Sequence, residues 1–400
     1  MTAPPRDSIR LSGTNLERAA DHNQRVTLHA IRVNGSLTRV DLANITGLTA
    51  PAIANITKRL REEGLIATAG RRIGMRGQPP TNLIINPDAC YAIGINIDRD
   101  HITIVLVNFV GETLARRSRE AEFALPGDVQ AFYRASVEDL IAEAGIDPAR
   151  IVGIGVASPD DLGLIDLPGR PAAYAQWDGA DMAALFAEPL DLPIFVENDS
   201  AAAAMGEQQL GAGQQLSSFF YVLISWGLGG GLVVDGVYFR GADGRSGEIG
   251  FLAGTDGQPI QNKVSLSALS HPLIKAGSSI AAMLEGNDPA IEPIVDKWIG
   301  EAVEQLAGPL IAINCLINPA AVLIGGRLPG PHVERLAERL SGHLADHAPH
   351  IPALAPVRRA HLAEDAPAVG AAILPFSHFL LPKPNALWKA PEDADAEEYA

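Results

Sequence analysis

The chain has 400 residues, of which 47% are hydrophobic and 20% are charged, enough apolar content to bury two or three cores in a soluble multidomain protein. Its longest apolar runs, 151–157 and 219–224, are far shorter than the roughly 20 residues of a membrane span, and its start lacks the apolar stretch of an export signal. Cys90 and Cys315 are too few for a disulfide framework or a cysteine zinc site, so we expect buried free thiols, a cytoplasmic protein and no membrane partner.

Charge is distributed unevenly along the chain. Residues 1–85 contain 12 Lys/Arg and 6 Asp/Glu, a balance of +6, whereas the whole chain carries −16, so residues 86–400 carry −22. An acidic body repels a polyanion, and any contact with nucleic acid is therefore expected through the basic N-terminal segment.

Residues 35–66 have the pattern of a helix, a tight turn at Gly47 and a second helix, which predicts a helix-turn-helix motif. Thr49 is predicted to cap the second helix, and Pro51 suits its first turn. Small and polar residues near the start of a recognition helix contact base edges, and the basic residues that follow suit phosphates. The residues of this motif predicted to contact DNA are Arg39, Thr49, Pro51, Ala52, Asn55, Lys58, Arg59 and Arg61.

Two strand-like runs, 65–67 and 81–85, follow the helices and predict a wing. The Gly/Pro-rich connection between them carries Arg71, Arg72 and Arg76, which we expect to reach the minor groove. Residues 14–85 are thus predicted to form a winged helix-turn-helix domain. An ordinary helical hairpin with a solvated basic loop is the alternative, and the charge distribution argues against it.

From Tyr91 onward, the chain alternates strand-like and helical segments in two successive rounds, which predicts two α/β lobes with a cleft between them. The acidic residues 385–400 show no periodicity and are predicted to be a disordered tail. Strand-like runs are 91–98, 101–109, 112–118, 151–158, 193–198, 219–226, 229–239 and 321–326; helical runs are 128–144, 199–210, 289–314 and the stretch after Pro331.

The order and spacing of these segments resemble the ROK family (repressor, open reading frame, kinase), and specifically its transcription-regulator branch, from Gly13 to about Pro382. The resemblance implies an α/β body of the two-lobed actin and sugar-kinase type, with a ribonuclease-H-like core. Residues 86–198 would form the first lobe, completed by a C-terminal helix at about 365–382, and residues 199–364 the second. The segments that carry the resemblance are GLTAPAIANITKRLREEGLI, GRRIGMRGQPP, GIGVASPD, VENDSAAAAMGE, GLGGGLVVDGVYFRGADGRSGEIG and VLIGG.

Departures from the family pattern predict that the chain is not an enzyme, with no catalytic residues and no cofactor. Where ROK kinases read G-I-D-I-G-G-T-K, this chain has Asn96 in place of the carboxylate that helps handle the metal nucleotide. Asp98 and Asp100 would place negative charge where a triphosphate would lie. In the second phosphate loop, Trp226 replaces a small hydroxyl residue. Residues 229–231 are open to two interpretations, a strand-entry turn or a relic of a nucleotide site.

The sugar side of the family's cleft is retained in part. Asn198 and Asp199 match the family's Asn-Asp pair, and Glu248 matches its G-E-I-G-H motif, so the resemblance implies that they bind an effector. These groups suit a polyhydroxylated ligand, although Asp199 is also open to a helix-capping role. Phe251 replaces the family's His, and Ser267 stands where the last sugar-binding Glu would be.

Zinc is not expected, because the cysteines of the family's zinc knuckle and the His at 251 are all missing. Exchanging a His and a Glu for Phe251 and Ser267 predicts a less polar, deoxygenated or substituted sugar as effector.

The sequence therefore predicts a sequence-specific DNA-binding transcriptional regulator, a repressor of carbohydrate-utilisation genes. Its partners would be operator DNA, a sugar or sugar-derivative effector and further copies of the chain, as a homodimer or homotetramer. The main alternative is an ATP-dependent sugar kinase with a DNA-binding head, and a structural pseudokinase is a third possibility. The sign of the ligand response is not fixed by the sequence.

Overall fold

The computed structural model describes residues 16–71, 81–164, 170–286, 289–346 and 351–382. The chain divides into two compact units. One contains the residues up to Cys90 together with those from Phe376 onward, and the other is Tyr91–Pro375. No helix within the described ranges is long and apolar enough to cross a membrane.

The first unit is a winged helix-turn-helix. Its core is formed where apolar side chains of the helices meet, with Leu42, Ile53 and Leu60 fully buried. A three-stranded antiparallel sheet in the order β1-β3-β2 follows the helices, and its short strand β1 was not predicted. The elements are α1 (Leu16–Asn34), β1 (Ser36–Leu37), α2 (Arg39–Thr46), α3 (Ala50–Glu62), β2 (Ile66–Arg71) and β3 (Thr81–Ile85).

The turn between α2 and α3 follows the predicted chemistry, with one exception. Gly47 ends α2 in the left-handed region at φ 69°, a conformation that glycine adopts without a steric penalty. Pro51 lies in the first turn of α3. Thr49 is the N-cap residue of α3, but its side chain makes no capping hydrogen bond, so the predicted cap is wrong in its chemistry. Thr38 instead forms a capping box with Asp41 at the start of α2.

The first sheet of the second unit has the strand order β6-β5-β4-β7-β8. Strands β4, β5 and β6 form the predicted antiparallel meander, and β4, β7 and β8 run parallel. Buried side chains of α4, of α5 and of the sheet form one apolar cluster that includes Tyr133 and Phe186. The elements are β4 (Tyr91–Ile97), β5 (His101–Asn108), β6 (Thr113–Glu120), α4 (Pro126–Ala144), β7 (Ile151–Ser158), α5 (Met182–Phe186) and β8 (Ile194–Asn198).

The second sheet has the order β11-β10-β9-β12-β13, with β12 parallel to both of its neighbours. A large apolar cluster that includes Trp298, Leu306 and Leu336 lies between this sheet and its long helices. The elements are α6 (Asp199–Leu210), β9 (Phe219–Ile224), β10 (Leu228–Val234), β11 (Val237–Tyr238), α7 (Leu266–Lys275), α8 (Ile280–Glu285), α9 (Glu292–Ile317), β12 (Ala321–Gly326), α10 (Gly330–Ala345), β13 (Val357–Arg359) and α11 (Ala366–Phe379).

The C-terminal helix α11 spans the boundary of the two units. Small side chains permit close packing within the second unit, where Ala371 of α11 contacts Ala157 and Ala202. In the first unit, the Arg25 guanidinium donates to the carbonyl oxygens of His378 at 2.9 Å and Leu381 at 3.3 Å. Cys90 is buried as expected, whereas Cys315 is exposed on α9, so only one of the two thiols lies in the interior.

Candidate functional site

A pocket that is partly open to solvent lies between the two sheets of the second unit. We call it the interlobe pocket. Both lobes line it: Arg99 and Asp160 come from the side of the first sheet, and Ser225 and Gln261 from the side of the second. Four of the five predicted effector residues line it, namely Asn198, Asp199, Glu248 and Phe251.

Asn198 and Asp199 stand where β8 ends and α6 begins, and they divide two tasks. The Asn198 side-chain oxygen accepts hydrogen bonds from the backbone N–H groups of Ser200 at 2.9 Å and Ala201 at 3.1 Å, so Asn198 is the helix cap. The buried Asp199 uses one oxygen, Oδ1, to accept from the N–H and hydroxyl of Ser200. Because Asn198 supplies the cap, Asp199 is available to the pocket.

The ionisation of Asp199 is strongly perturbed. Burial, followed by the negative charge of Asp98, raises the pKa of Asp199 to about 7, while Arg99 and the hydrogen bonds from Ser200 act in the opposite direction. At neutral pH the Asp199 side chain is therefore present in both protonation states, able to donate or to accept a hydrogen bond to a ligand hydroxyl.

Glu248 is already paired with an arginine that the sequence analysis did not identify. Arg245 Nη2 lies 3.1 Å from Glu248 Oε1, and its Nη1 lies 2.7 Å from Asp161 Oδ2 of the opposite lobe. Arg245 Nε lies 3.7 Å from Asp160, another residue of the first lobe. Since Arg245 is exposed, each contact contributes at most about 1 kcal/mol. Its position three residues before Glu248 was the sequence signal that could have drawn attention to it.

The other two predicted effector residues have different outcomes. The half-exposed Phe251 lines the interlobe pocket and offers an apolar surface to it. Ser267 does not line it, because it lies in the first turn of α7 with its hydroxyl 2.9 Å from that of Ser265. The structure therefore does not bring Ser267 together with Asn198, Asp199 and Glu248.

Side chains of both lobes form a polar network at the turn between β4 and β5. Arg327, directly after β12, donates to Asp100 at 2.5 Å and also to Glu120. Burial opposes ionisation of Asp100, but the hydrogen bond from His101 and the charges of His101 and Arg327 hold its pKa below the usual range. Asn96 lies 3.2 Å from His101 through their side-chain nitrogens, so Asn96 belongs to this network.

Asp98, Asp100 and His101 place potential metal-ligand atoms within 4.8 Å of one another. The two oxygens of Asp100 are already used, Oδ1 by His101 and Oδ2 by Arg327. Asp98 accepts the backbone N–H of Arg99 at 2.7 Å. These contacts account for the cluster as an ion-pair network.

The glycines at 229–231 have a packing function that does not depend on a nucleotide. They lie in β10, which packs against α6. A Cβ at Gly229 would lie 1.9 Å from Ser200 Oγ, and one at Gly231 would lie 2.5 Å from Ala204 Cβ. This close approach of strand and helix supports the interpretation of these residues as structural strand glycines.

The predicted DNA-binding residues of α3 lie mainly on its exposed surface. Thr49, Pro51 and Asn55 are exposed, and Ala52 is partly buried. The basic residues Lys58, Arg59 and Arg61 are also exposed; Lys58 and Arg59 contact Glu62 and Glu63 one turn further along at 3.8 and 2.8 Å. Exposed Arg39 donates from Nε to Thr57 Oγ1 at 3.0 Å. Arg71 ends β2, and the predicted contacts of Arg72 and Arg76 lie outside the described residues.

The fold defines a two-lobed α/β body of the sugar-kinase type with a winged helix-turn-helix in the same chain. Family models agree: residues 92–260 match the ROK family, and residues 21–67 match a winged helix-turn-helix DNA-binding domain. The chain belongs to the ROK family, as the sequence motifs indicated.

Individual relatives support the same architecture. The uncharacterized protein y4fQ of Sinorhizobium fredii (strain NBRC 101917 / NGR234) is 32% identical over 359 residues, 88% of this chain and 90% of that protein. The xylose repressor of Bacillus subtilis (strain 168) is 28% identical over 232 residues, 58% of this chain and 60% of the repressor. A solved ROK family transcriptional regulator, a homolog of the E. coli MLC protein, is 22% identical with a TM-score of 0.65, covering 90% of this chain and 97% of that one.

Proposed function

We propose that this protein is a sequence-specific DNA-binding transcriptional regulator, a repressor of carbohydrate-utilisation genes that acts in the cytoplasm. The observation that carries the proposal is the presence, in one chain, of a winged helix-turn-helix with an exposed α3 surface and of a polar interlobe pocket. The match to a xylose repressor supports regulation by a sugar, although it covers only part of either chain.

In this proposal, the exposed start of α3 contacts bases in the major groove and its basic second half contacts phosphates. Two copies of the chain, in a homodimer or homotetramer, present their α3 helices to a two-fold operator with half-sites an integral number of turns apart. The base-contacting residues are Thr49, Pro51, Ala52 and Asn55; the phosphate-contacting residues are Arg39, Lys58, Arg59 and Arg61; the wing arginines Arg71, Arg72 and Arg76 reach the minor groove.

The effector is a sugar or sugar derivative bound by Asp199, Glu248 and Phe251, with Asn198 holding the start of α6 in place. Arg245 pairs with Glu248 on its own lobe and with Asp161 on the opposite lobe, so a ligand that hydrogen-bonds Glu248 alters the surroundings of the arginine that joins the lobes. The two lobes can adopt more than one arrangement, and a ligand shifts the equilibrium toward the arrangement that it binds more tightly. Operator affinity changes to the extent that the ligand's affinities for the two arrangements differ.

The same residues argue against catalysis. The place of the kinase metal carboxylate is taken by Asn96, which contacts His101. At the turn between β4 and β5, the Arg327 guanidinium is already paired with Asp100 and Glu120, and Asp98 adds a negative charge, so this turn is poorly suited to hold a triphosphate. We infer that the body binds its ligand without phosphorylating it.

The test is fluorescence anisotropy of the purified protein on a labelled fragment of its own promoter, with a panel of sugars and with ATP as control. We expect specific binding that one sugar class alters and that ATP leaves unchanged. Absence of specific DNA binding, together with ATP turnover on any sugar, would favour the alternative function of a sugar kinase with a DNA-binding head.

A further inference from the structure

Arg99 is a buried arginine at the inner end of the interlobe pocket, and its role in the pocket is unassigned. It lies in the turn between β4 and β5, is 7% exposed, and lines the pocket. Its Nη1 reaches within 3.3 Å of where a Cβ of Gly227 in the opposite lobe would be. The guanidinium therefore spans the inner part of the cleft from one lobe to the other.

The hydrogen bonding of Arg99 is incomplete. Among the described residues, no acceptor reaches its buried Nε–H. Its nearest ion-pair partner is Asp98, and the distance from Nη1 to Asp98 Oδ1 is 4.0 Å, too long for a hydrogen bond. A buried, incompletely paired charged donor is unfavourable, so the site gains most from a ligand that brings an acceptor of opposite charge.

The shape of the guanidinium indicates what kind of acceptor fits. A guanidinium group presents pairs of N–H donors side by side, and such a pair matches two oxygens of a carboxylate or a phosphate. The other arginine of the pocket, Arg245, is already occupied by Asp160, Asp161 and Glu248. Among the described residues that line the pocket, Arg99 is therefore the arginine without a hydrogen-bonded carboxylate partner.

We propose that the effector is a polyhydroxylated anion whose acidic group binds the guanidinium group of Arg99, with its hydroxyls at Asp199 and Glu248. This proposal rests on the proposed function and narrows its effector from sugars in general to acidic sugar derivatives. Since burial already favours the neutral form of Asp199, that carboxyl group repels an incoming anion less than an ordinary aspartate would.

The experiment is isothermal titration calorimetry on the full-length chain with matched probes at equal concentrations. One arm compares neutral sugars with their acids: glucose with glucuronate, galactose with galacturonate, and xylose with xylonate. A second arm uses hexose 6-phosphates, and it distinguishes a phosphate from a carboxylate as the acidic group. Wild type is compared with Arg99→Gln, Arg99→Lys and the control Arg134→Gln, which removes one arginine charge from an exposed position on α4.

We expect at least one acidic probe to bind wild type roughly 10- to 100-fold more tightly than its neutral counterpart, the range of one charge-assisted hydrogen-bonded contact. Arg99→Gln should remove that preference, Arg99→Lys should retain part of it, and Arg134→Gln should leave it unchanged. Because the comparison of acid with neutral sugar is made in wild type too, it stays informative if Arg99→Gln folds poorly.

Neutral sugars that bind as well as their acids, or acids and phosphates that do not bind at all, would overturn the anion site. Operator binding measured in parallel separates this failure from failure of the proposed function. If a neutral sugar still alters operator binding, the proposed regulatory function is supported and the proposed Arg99 contact is not. Acid binding without operator binding would support the anion site and contradict the regulator.

Discussion

Asp199 carries the strongest electrostatic perturbation in the interlobe pocket, and it has a consequence for stability. Its pKa of about 7 in the folded chain exceeds the ordinary aspartate value of 3.8, so the folded state holds a proton that the unfolded state loses first. Stability contributed by the neutral carboxyl group is present below pH 4 and is lost progressively as pH rises toward 7. Above pH 7, the Asp199 carboxylate is buried in its charged form, and this lowers the free energy of unfolding.

We predict that Asp199→Asn increases the free energy of unfolding at pH 8 by up to about 4 kcal/mol, three pKa units at about 1.4 kcal/mol each. The difference from wild type should shrink as pH falls and vanish below pH 4. Denaturant unfolding at a series of pH values measures it, with Asp139→Asn on the exposed face of α4 as control for the loss of one negative charge. If the stability difference between Asp199→Asn and wild type did not depend on pH, it would contradict the raised pKa of Asp199.

The threonines that precede α2 and α3 look alike in sequence, but they have different surroundings. Thr38 is buried and its hydroxyl accepts the N–H of Asp41 at 3.2 Å, while Asp41 accepts the N–H of Thr38 at 2.9 Å. Thr49 is exposed and makes no capping hydrogen bond. Capping thus stabilises α2, and the Thr49 hydroxyl is left facing solvent.

We predict that Thr38→Ala lowers the free energy of unfolding by about 1 kcal/mol, the typical effect of losing a cap. Thr49→Ala should change stability by less than about 0.5 kcal/mol and should instead weaken operator binding. Thermal unfolding and anisotropy on the same two variants give both readings. If Thr49→Ala instead destabilised the protein and left operator binding unchanged, Thr49 would stabilise the fold and would not contact DNA.

Among the elements, β12 and the turn between β4 and β5 are joined by an ion pair that could not be predicted from sequence. Arg327 and Asp100 are 227 positions apart, and only the fold brings the two strand ends together. Both are at least 93% buried, whereas the second partner of Arg327, Glu120, has a side chain that is 54% exposed. The Arg327–Asp100 contact should therefore contribute more to the free energy of unfolding than the Arg327–Glu120 contact.

We predict that Arg327→Met destabilises the protein by about 3 kcal/mol, because it leaves the buried Asp100 carboxylate without its cation. Glu120→Gln should cost less than about 1 kcal/mol, as expected of an exposed partner. Adding Asp100→Asn to Arg327→Met should recover most of the loss. Urea unfolding of the three variants tests this, and equal effects of Arg327→Met and Glu120→Gln would contradict the difference in burial.

At the scale of elements, periodicity predicted most strands of the two sheets and the helices α4, α6, α9 and α10, because alternation and helical spacing are local properties. The shorter elements α5, α7, α8 and β13 were not predicted. Strand β1 was missed because two residues carry no period, and its pairing with β3 depends on the tertiary fold. Likewise, the effector residues that follow strand ends were predicted from sequence motifs. The contacts of Arg99, Arg245 and Arg327 could not be predicted in this way, because they depend on how loops that are distant in sequence pack together. Ser267 was predicted by alignment with the family motif; in the structure it lies in the first turn of α7 and does not line the interlobe pocket.

For the whole molecule, the central claim is that a ligand in the interlobe pocket controls DNA binding by the helix-turn-helix. Such coupling is reciprocal: the factor by which the effector changes operator affinity must equal the factor by which operator DNA changes effector affinity. Two independent titrations therefore determine the same coupling factor. A variant that loses the ligand contact should lose this coupling and keep its affinity for the operator.

The most direct measurement is operator binding by anisotropy, with and without effector, for wild type and Asp199→Ala. We predict that effector changes the operator affinity of wild type by roughly 5- to 150-fold, the usual range of allosteric coupling, in either direction. Asp199→Ala should bind the operator with unchanged affinity in the absence of effector and should not respond to it. An Asp199→Ala variant that responds as wild type does would contradict control through the interlobe pocket.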